Sequence, residues 1–279
     1  MANGGVQTEL RNKYNQTVRV QAEEDPRLVQ AQKQIFDSFG DRVSVTQKAK
    51  TLYKFGRNPD IGTSIETVWN TGGNETYATD NVIDKFSSSN AGDTQEIIVE
   101  GHTISAGKLT FVTQTVTLAG QTETALTTPL ARVNRAYNNG TTDFAGTIYI
   151  YEDDTVTAGV PQTASKIHAE VTEGNQTEKC ATSISNADYY IITSFTGYCF
   201  TKASRTVEFL VELREVGTTN KVFRRTFSTA GSEGKPTHID FDPPFIIPKN
   251  YDIRVRAIAS ANATDVGASF NGYLAKVID

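Results

Sequence analysis

The sequence predicts an all-β protein: two β-sandwich, jelly-roll-like domains preceded by an N-terminal arm with one short helix. Threonine supplies 38 of the 279 residues, and Thr, Val, Ile, Tyr and Phe suit a pleated, half-buried surface. Short stretches of alternating apolar and polar residues recur at intervals of about 8 to 14 positions, divided by Gly, Asn and Asp turns, which is the rhythm of sandwiches and barrels. Helical periodicity shows in one place only.

That place lies in the arm, residues 1–48, which is polar, Gln-rich in part and without evident period-2 alternation. Asp25-Pro26 supplies an N-cap followed by proline at the first helical position. Leu28, Ala31, Ile35, Phe36 and Phe39 then recur at helical spacing until Gly40, predicting an amphipathic helix over about 26–39. A helix this short is marginal alone, so its stripe must be covered by the body or by another subunit. These five residues are the candidate partner-binding set.

Residues 49–160 are expected to form the first sandwich. Ala145 to Tyr151 is its central strand, because Ile148 and Ile150 share one face while Tyr149 and Tyr151 share the other, so both faces need cover. The acidic, turn-rich stretch 152–165 is expected to connect the domains. Residues 161–279 repeat the strand rhythm as the second sandwich. There Val207, Phe209, Val211 and Leu213 face a core, as do Ile253, Val255 and Ala257, opposite Asp252, Arg254 and Arg256. Pro243-Pro244 and Pro248 bracket an edge strand or a loop, since proline cannot donate to a central ladder.

A formal charge of −5, with 27 Lys and Arg against 32 Asp and Glu, and no long basic run argue against nucleic-acid binding, which needs clustered cations. No apolar run approaches the roughly 20 residues that span a bilayer, and the start lacks signal-peptide features. The expectation is therefore a soluble chain made in a cytoplasm and kept there until it is assembled. Cys180 and Cys199, the only cysteines, are expected as buried thiols, with a disulfide as the alternative.

Catalytic groups are scarce: three His, two Cys and one Met. Asp93, Glu96, Glu100 and His102 resemble a metal or acid–base cluster in composition, but alternation places Glu96, Glu100 and His102 on one side of a strand, expected to be solvated. The clusters 152–154 and 240–242 lack calcium-loop spacing, the serines lack a nucleophile elbow, and no glycine-rich loop sits between a strand and a helix. Arg224-Arg225, Arg254 and Arg256 are expected in surface ion pairs. No catalytic, cofactor-binding or metal-ligating residue is assigned, and no cofactor is expected.

The stretch Lys54-Phe-Gly-Arg-Asn-Pro-Asp-Ile-Gly-Thr-Ser-Ile-Glu-Thr-Val-Trp69, followed by Ser87-Ser-Ser89, Asp93-Thr94 and Ile97-Ile-Val-Glu-Gly101, resembles the opening of a family of tailed-phage virion proteins. Gln114 to Leu118 with Gly120, Leu130 to Ala136, and Gly146-Thr-Ile are similar to later elements of that family. The likeness covers about residues 50–155. The remainder resembles a generic sandwich whose end, Asn271-Gly-Tyr-Leu274, is similar to the last strand of many phage appendage domains. The resemblance implies a particle component assembled into a virion and brings no catalytic residues with it, and the scarcity of catalytic groups adds the expectation that it is not an enzyme. The functions compatible with it are capsid decoration through the arm, with the major capsid protein as partner and trimers as the expected assembly, or a neck, collar or tail part. A host-glycan binder is a third possibility, with Trp69, Tyr189, Tyr190 and Tyr198 as candidate aromatics.

Overall fold

The computed structural model describes residues 7–11, 17–21, 50–172, 174–201, 204–218, 222–231 and 236–276. The predicted helix at 26–39, with Leu28, Ala31, Ile35, Phe36 and Phe39, lies outside the described residues. Within the arm, β1 (Gln7–Arg11) pairs antiparallel with β2 (Thr17–Gln21), where no strand was expected. The period-2 signal is there on inspection, since Val18 and Val20 alternate with Arg19 and Gln21.

Apart from one 3-10 turn at Ala164–Lys166, the described body is all-β, as predicted, and among the described residues it holds two large hydrophobic cores and a small third cluster of Ile191, Ala275 and Ile246. Strands β3 (Lys50–Ile61) and β4 (Glu66–Thr67) come first. Next are β5 (Ile83–Ser88), β6 (Glu96–Ser105), β7 (Lys108–Thr117), β8 (Thr124–Leu130) and β9 (Arg132–Asn138). Then come β10 (Ile148–Glu152), the small hairpin β11 (Val156–Thr157) and β12 (Val160–Pro161), and β13 (Ile167–Val171). The chain closes with β14 (Ala181–Ser183), β15 (Asp188–Cys199), β16 (Arg205–Glu215), β17 (Val222–Gly231), β18 (Thr237–Ile247), β19 (Tyr251–Ala259) and β20 (Thr264–Lys276).

The strand pairing does not follow a division at residue 160. One sandwich packs the sheet β13-β10-β5-β8 on β7-β6-β9 around Phe86, Ile97, Val99, Leu130, Ile148 and Ile150. The other packs β14-β19-β16-β17 on β18-β15-β20-β3, with β4 beside β14 on the edge of β19. Its core includes Tyr190, Phe195, Phe209, Val255 and Phe270. The sandwich built from residues 83–171 is thus an insertion between β4 and β14 of its neighbour. Its two connecting segments meet at the base, where Trp69 bridges Lys179 and the Asn70 N–H donates to the Glu178 carbonyl at 3.1 Å. The expected connector at 152–165 is instead a hairpin on the inserted sandwich, where the Ser87 hydroxyl donates to the Gly159 carbonyl at 2.8 Å. The sequence pattern could not expose this. Alternation reports which residues are buried, and says nothing of which distant strand covers them.

Local expectations fared better. β10 is central, between β5 and β13. The core faces of β16 and β19 are buried as read. β18, carrying Pro243-Pro244, is an edge strand. Cys180 and Cys199 are free, buried thiols, and burial pushes the Cys180 thiol up.

Candidate functional site

The sandwiches meet along β9, whose outward residues enter the neighbouring domain as a polar seam. Arg132 donates from Nε and Nη2 to both oxygens of Asp252, at 2.9 and 3.0 Å, and from Nη1 to the carbonyls of Ala78 and Ala131. Ser183 Oγ donates to the same carboxylate at 2.6 Å. One turn of the pleat further, Asn134 exchanges hydrogen bonds with the Ser183 backbone. Lys54 Nζ donates to the Asn134 carbonyl at 2.5 Å. Lys179 Nζ donates to the carbonyls of Val133 and His168 and lies 2.5 Å from Glu75. A second cluster, Glu212 with Arg254 and Arg256 at 2.6 and 2.8 Å, flanks the seam, and the Tyr77 ring sits between the guanidiniums of Arg132, Arg214 and Arg254. Buried charges persist only when paired and hydrogen-bonded, and here nearly every pair joins groups distant in sequence.

These observations correct two readings. His102 is buried, 1% exposed, and Glu100 lines an interdomain cleft. The predicted solvated face of β6 is covered at that end by the other sandwich. Asp93 is also buried, and accepts Ser88 Oγ at 2.5 Å and the amides of Ala145 and Gly146 at 2.8 and 3.0 Å, pinning two turns together. Arg254 and Arg256 form a largely buried cluster with Glu212 instead of surface pairs. Side chains at Arg224 and Arg225 lie outside the description.

Beside the seam opens a cleft of about 1360 Å³. Its floor is polar and mostly buried: Lys54, His102, Asn134, Lys179 and Ser183. Burial, reinforced by Lys179, lowers the Lys54 amine to about 7, so this amine is substantially uncharged at neutral pH. Burial likewise lowers His102 to about 4, which leaves a neutral imidazole. On the walls stand Tyr53 and Phe55 from β3 and Phe111 from β7, together with Glu100, Arg135, Gln176, Asn186 and Asp188. Among the described residues, no cluster of three or more His, Cys, Asp or Glu side chains is arranged to hold a metal ion.

The aromatics proposed from sequence for glycan contact are placed otherwise. Trp69 and Tyr190 are core, 2% and 0% exposed, whereas Tyr189 and Tyr198 are half-buried. Tyr53 and Phe111 escaped sequence reasoning because nothing local marks an aromatic on an alternating strand as facing a cleft.

No family model matches the chain, and no curated protein does. Among solved structures, the VP2 subviral particle of infectious bursal disease virus is similar at 10% identity, covering 85% of this chain and 73% of that one, with a TM-score of 0.25. The Gt strain of the same virus is similar at 9% identity, covering 91% and 83%, with a TM-score of 0.22. Superposition this loose transfers neither residues nor roles.

Proposed function

We propose that the chain is a non-enzymatic structural protein of a tailed-phage virion, and within the particle a decoration protein that binds the major capsid lattice. The observation that carries this reading is the interlock. One sandwich is threaded into the other, and the joint is fastened by the buried, hydrogen-bonded ion pair Arg132–Asp252 across it and by Lys179–Glu75 between the two connecting segments. Such a joint resists hinge motion, because opening it breaks the Arg132–Asp252, Asn134–Ser183 and Leu109–Asn250 hydrogen bonds together. A rigid two-lobed body suits a cement protein, which adds interface area between shell subunits. The sequence resemblance over residues 50–155 supports the same placement. The arm, through Leu28, Ala31, Ile35, Phe36 and Phe39, is the proposed lattice contact, and trimers at three-fold positions are the proposed assembly.

The test is the copy number of this chain relative to the major capsid protein in purified particles, by quantitative mass spectrometry. Copies comparable to the capsid protein support decoration. A ring's worth of copies moves the protein to the neck, collar or tail, and absence from the particle overturns the virion reading.

A further inference from the structure

We infer that the cleft between the sandwiches is a carbohydrate-binding site that takes a neutral, extended oligosaccharide. Among the described residues four large hydrophobic side chains are exposed, Tyr53, Val82, Phe111 and Phe200. Tyr53 and Phe111, 57% and 49% exposed, both stand in this one cleft. Each is braced by a second ring. Tyr53 stacks on Phe55 with centroids 5.6 Å apart, and Phe111 meets the buried His102 edge-on at 5.5 Å. A braced ring offers a flat apolar face without first losing rotamer freedom, and the C–H face of a pyranose is the complementary surface.

The polar groups between the rings narrow the ligand class. Glu100 offers paired acceptors, Arg135 paired donors, and Gln176 and Asn186 an amide each on the cleft wall, with Gln176 Oε1 already accepting from Arg135 Nη2 at 3.2 Å, and such planar groups engage adjacent hydroxyls. The cleft carries no excess of cations, since Glu100 and Asp188 offset Arg135 and Lys54. Glu100 lies directly opposite Arg135 across the β6–β9 ladder, and Lys179 is held by Glu75. A polyphosphate or nucleic acid would need uncompensated cations. A purely apolar ligand would take water from the polar wall groups Glu100, Arg135 and Asn186 without replacing its hydrogen bonds. A polyhydroxylated, uncharged ligand suits both the aromatic rings and these polar wall groups. The volume exceeds the roughly 300–1,000 Å³ of small-molecule pockets, which favours several linked sugars over one.

The inference goes beyond the virion placement and is tested separately from it. The full chain is titrated by NMR with maltohexaose, cellohexaose, laminarihexaose and chitohexaose, each to about 5 mM, the range where weak recognition is measurable. Saturable binding of at least one oligosaccharide is expected. Tyr53→Ala and Phe111→Ala each weaken it about threefold to tenfold, as loss of one stacking ring should, while Phe200→Ala, an exposed ring outside the cleft, leaves it unchanged. Circular dichroism melts of the variants check folding. Silence across all four probes overturns the proposal, as does binding that Tyr53→Ala and Phe111→Ala leave untouched. Sedimentation velocity supplies the remaining outcome: if these variants dissociate an oligomer while no sugar binds, the cleft belongs to a second copy and the carbohydrate assignment is wrong.

Discussion

Replacing Arg132 by Met should strip the seam of its best-made ion pair while keeping most of the side chain's volume. Asp252 is fully buried, and its carboxylate takes two hydrogen bonds from Arg132 and one from Ser183. Without the guanidinium it is a buried anion with a single hydroxyl donor, and breaking such a pair costs about 3–5 kcal/mol. For a body of this size each kcal/mol lowers the melting temperature by roughly 2–4 °C, so Arg132→Met should melt roughly 6–20 °C lower. Asp252→Leu should be comparably damaging, because it leaves the guanidinium buried instead. The double variant removes both charges, so its loss should fall short of the sum of the singles by about 2–3 kcal/mol. It will not reach the parent, since the carbonyls of Ala78 and Ala131 also lose their donor. Urea denaturation of the four proteins measures the cycle. Singles that add to within about 0.5 kcal/mol would show the two groups to be energetically independent, and the claim that this pair fastens the sandwiches would fall.

Other outcomes follow from particular contacts. Ala106 and Gly107, at φ of 48° and 71°, form the β6–β7 turn, and a two-residue turn with both φ positive favours Asn-Gly, so Ala106→Asn should stabilise by about 0.5–1 kcal/mol in thermal melts. Asn250 has a φ of 65° and grips that turn through the Leu109 amide and the Gly107 carbonyl. Asn250→Gly tolerates the backbone but loses both bonds, and denaturant melts should show a cost of about 1–3 kcal/mol. Lys54 carries a pH signature. Its amine is lowered from 10.5 to about 7 by burial, so between those values the unfolded chain binds more protons and stability rises with pH. The difference in unfolding free energy between the parent and Lys54→Met should therefore grow in the parent's favour from pH 7 towards 10.5, and a flat difference would count against the buried amine. Ile35→Asp with Phe36→Asp in the arm should abolish co-sedimentation with empty capsids and leave the melting temperature of the body unchanged.

The fold class was legible because alternation is written into β10, β16 and β19 themselves. Ile148, Phe209 and Val255 announce their burial without reference to any partner. Strand order was not legible, because β3 pairs with β20 across some two hundred residues and no local pattern records that. The same limit hid the cleft. Glu100 and His102 look like solvent-facing positions until the second sandwich is laid against them, and Arg132, Asp252 and Lys179 look like surface charges until their partners arrive. Arg254 and Arg256 show the same error, since their alternation was right and only the assumption that the outer face is wet was wrong. The arm's β1–β2 ladder was missed because two five-residue strands sit inside a polar composition that masks Val18 and Val20.

The insertion of one sandwich within the other also sets a timetable for synthesis. β3 and β4 leave the ribosome before the other strands of the body, yet their ladder partners, β20 and β19, are among the last strands made. Residues 83–171 can meanwhile close both of their own sheets, which need no strand from outside that span. As they do so, they draw the two connecting segments together at Trp69 and Lys179. The early sandwich thus acts as a clamp that shortens the loop β3 must close, and loop closure is the step that slows non-local β pairing. Until β20 arrives, the edge of β3 stands unpaired, the state in which strands of different nascent chains can join.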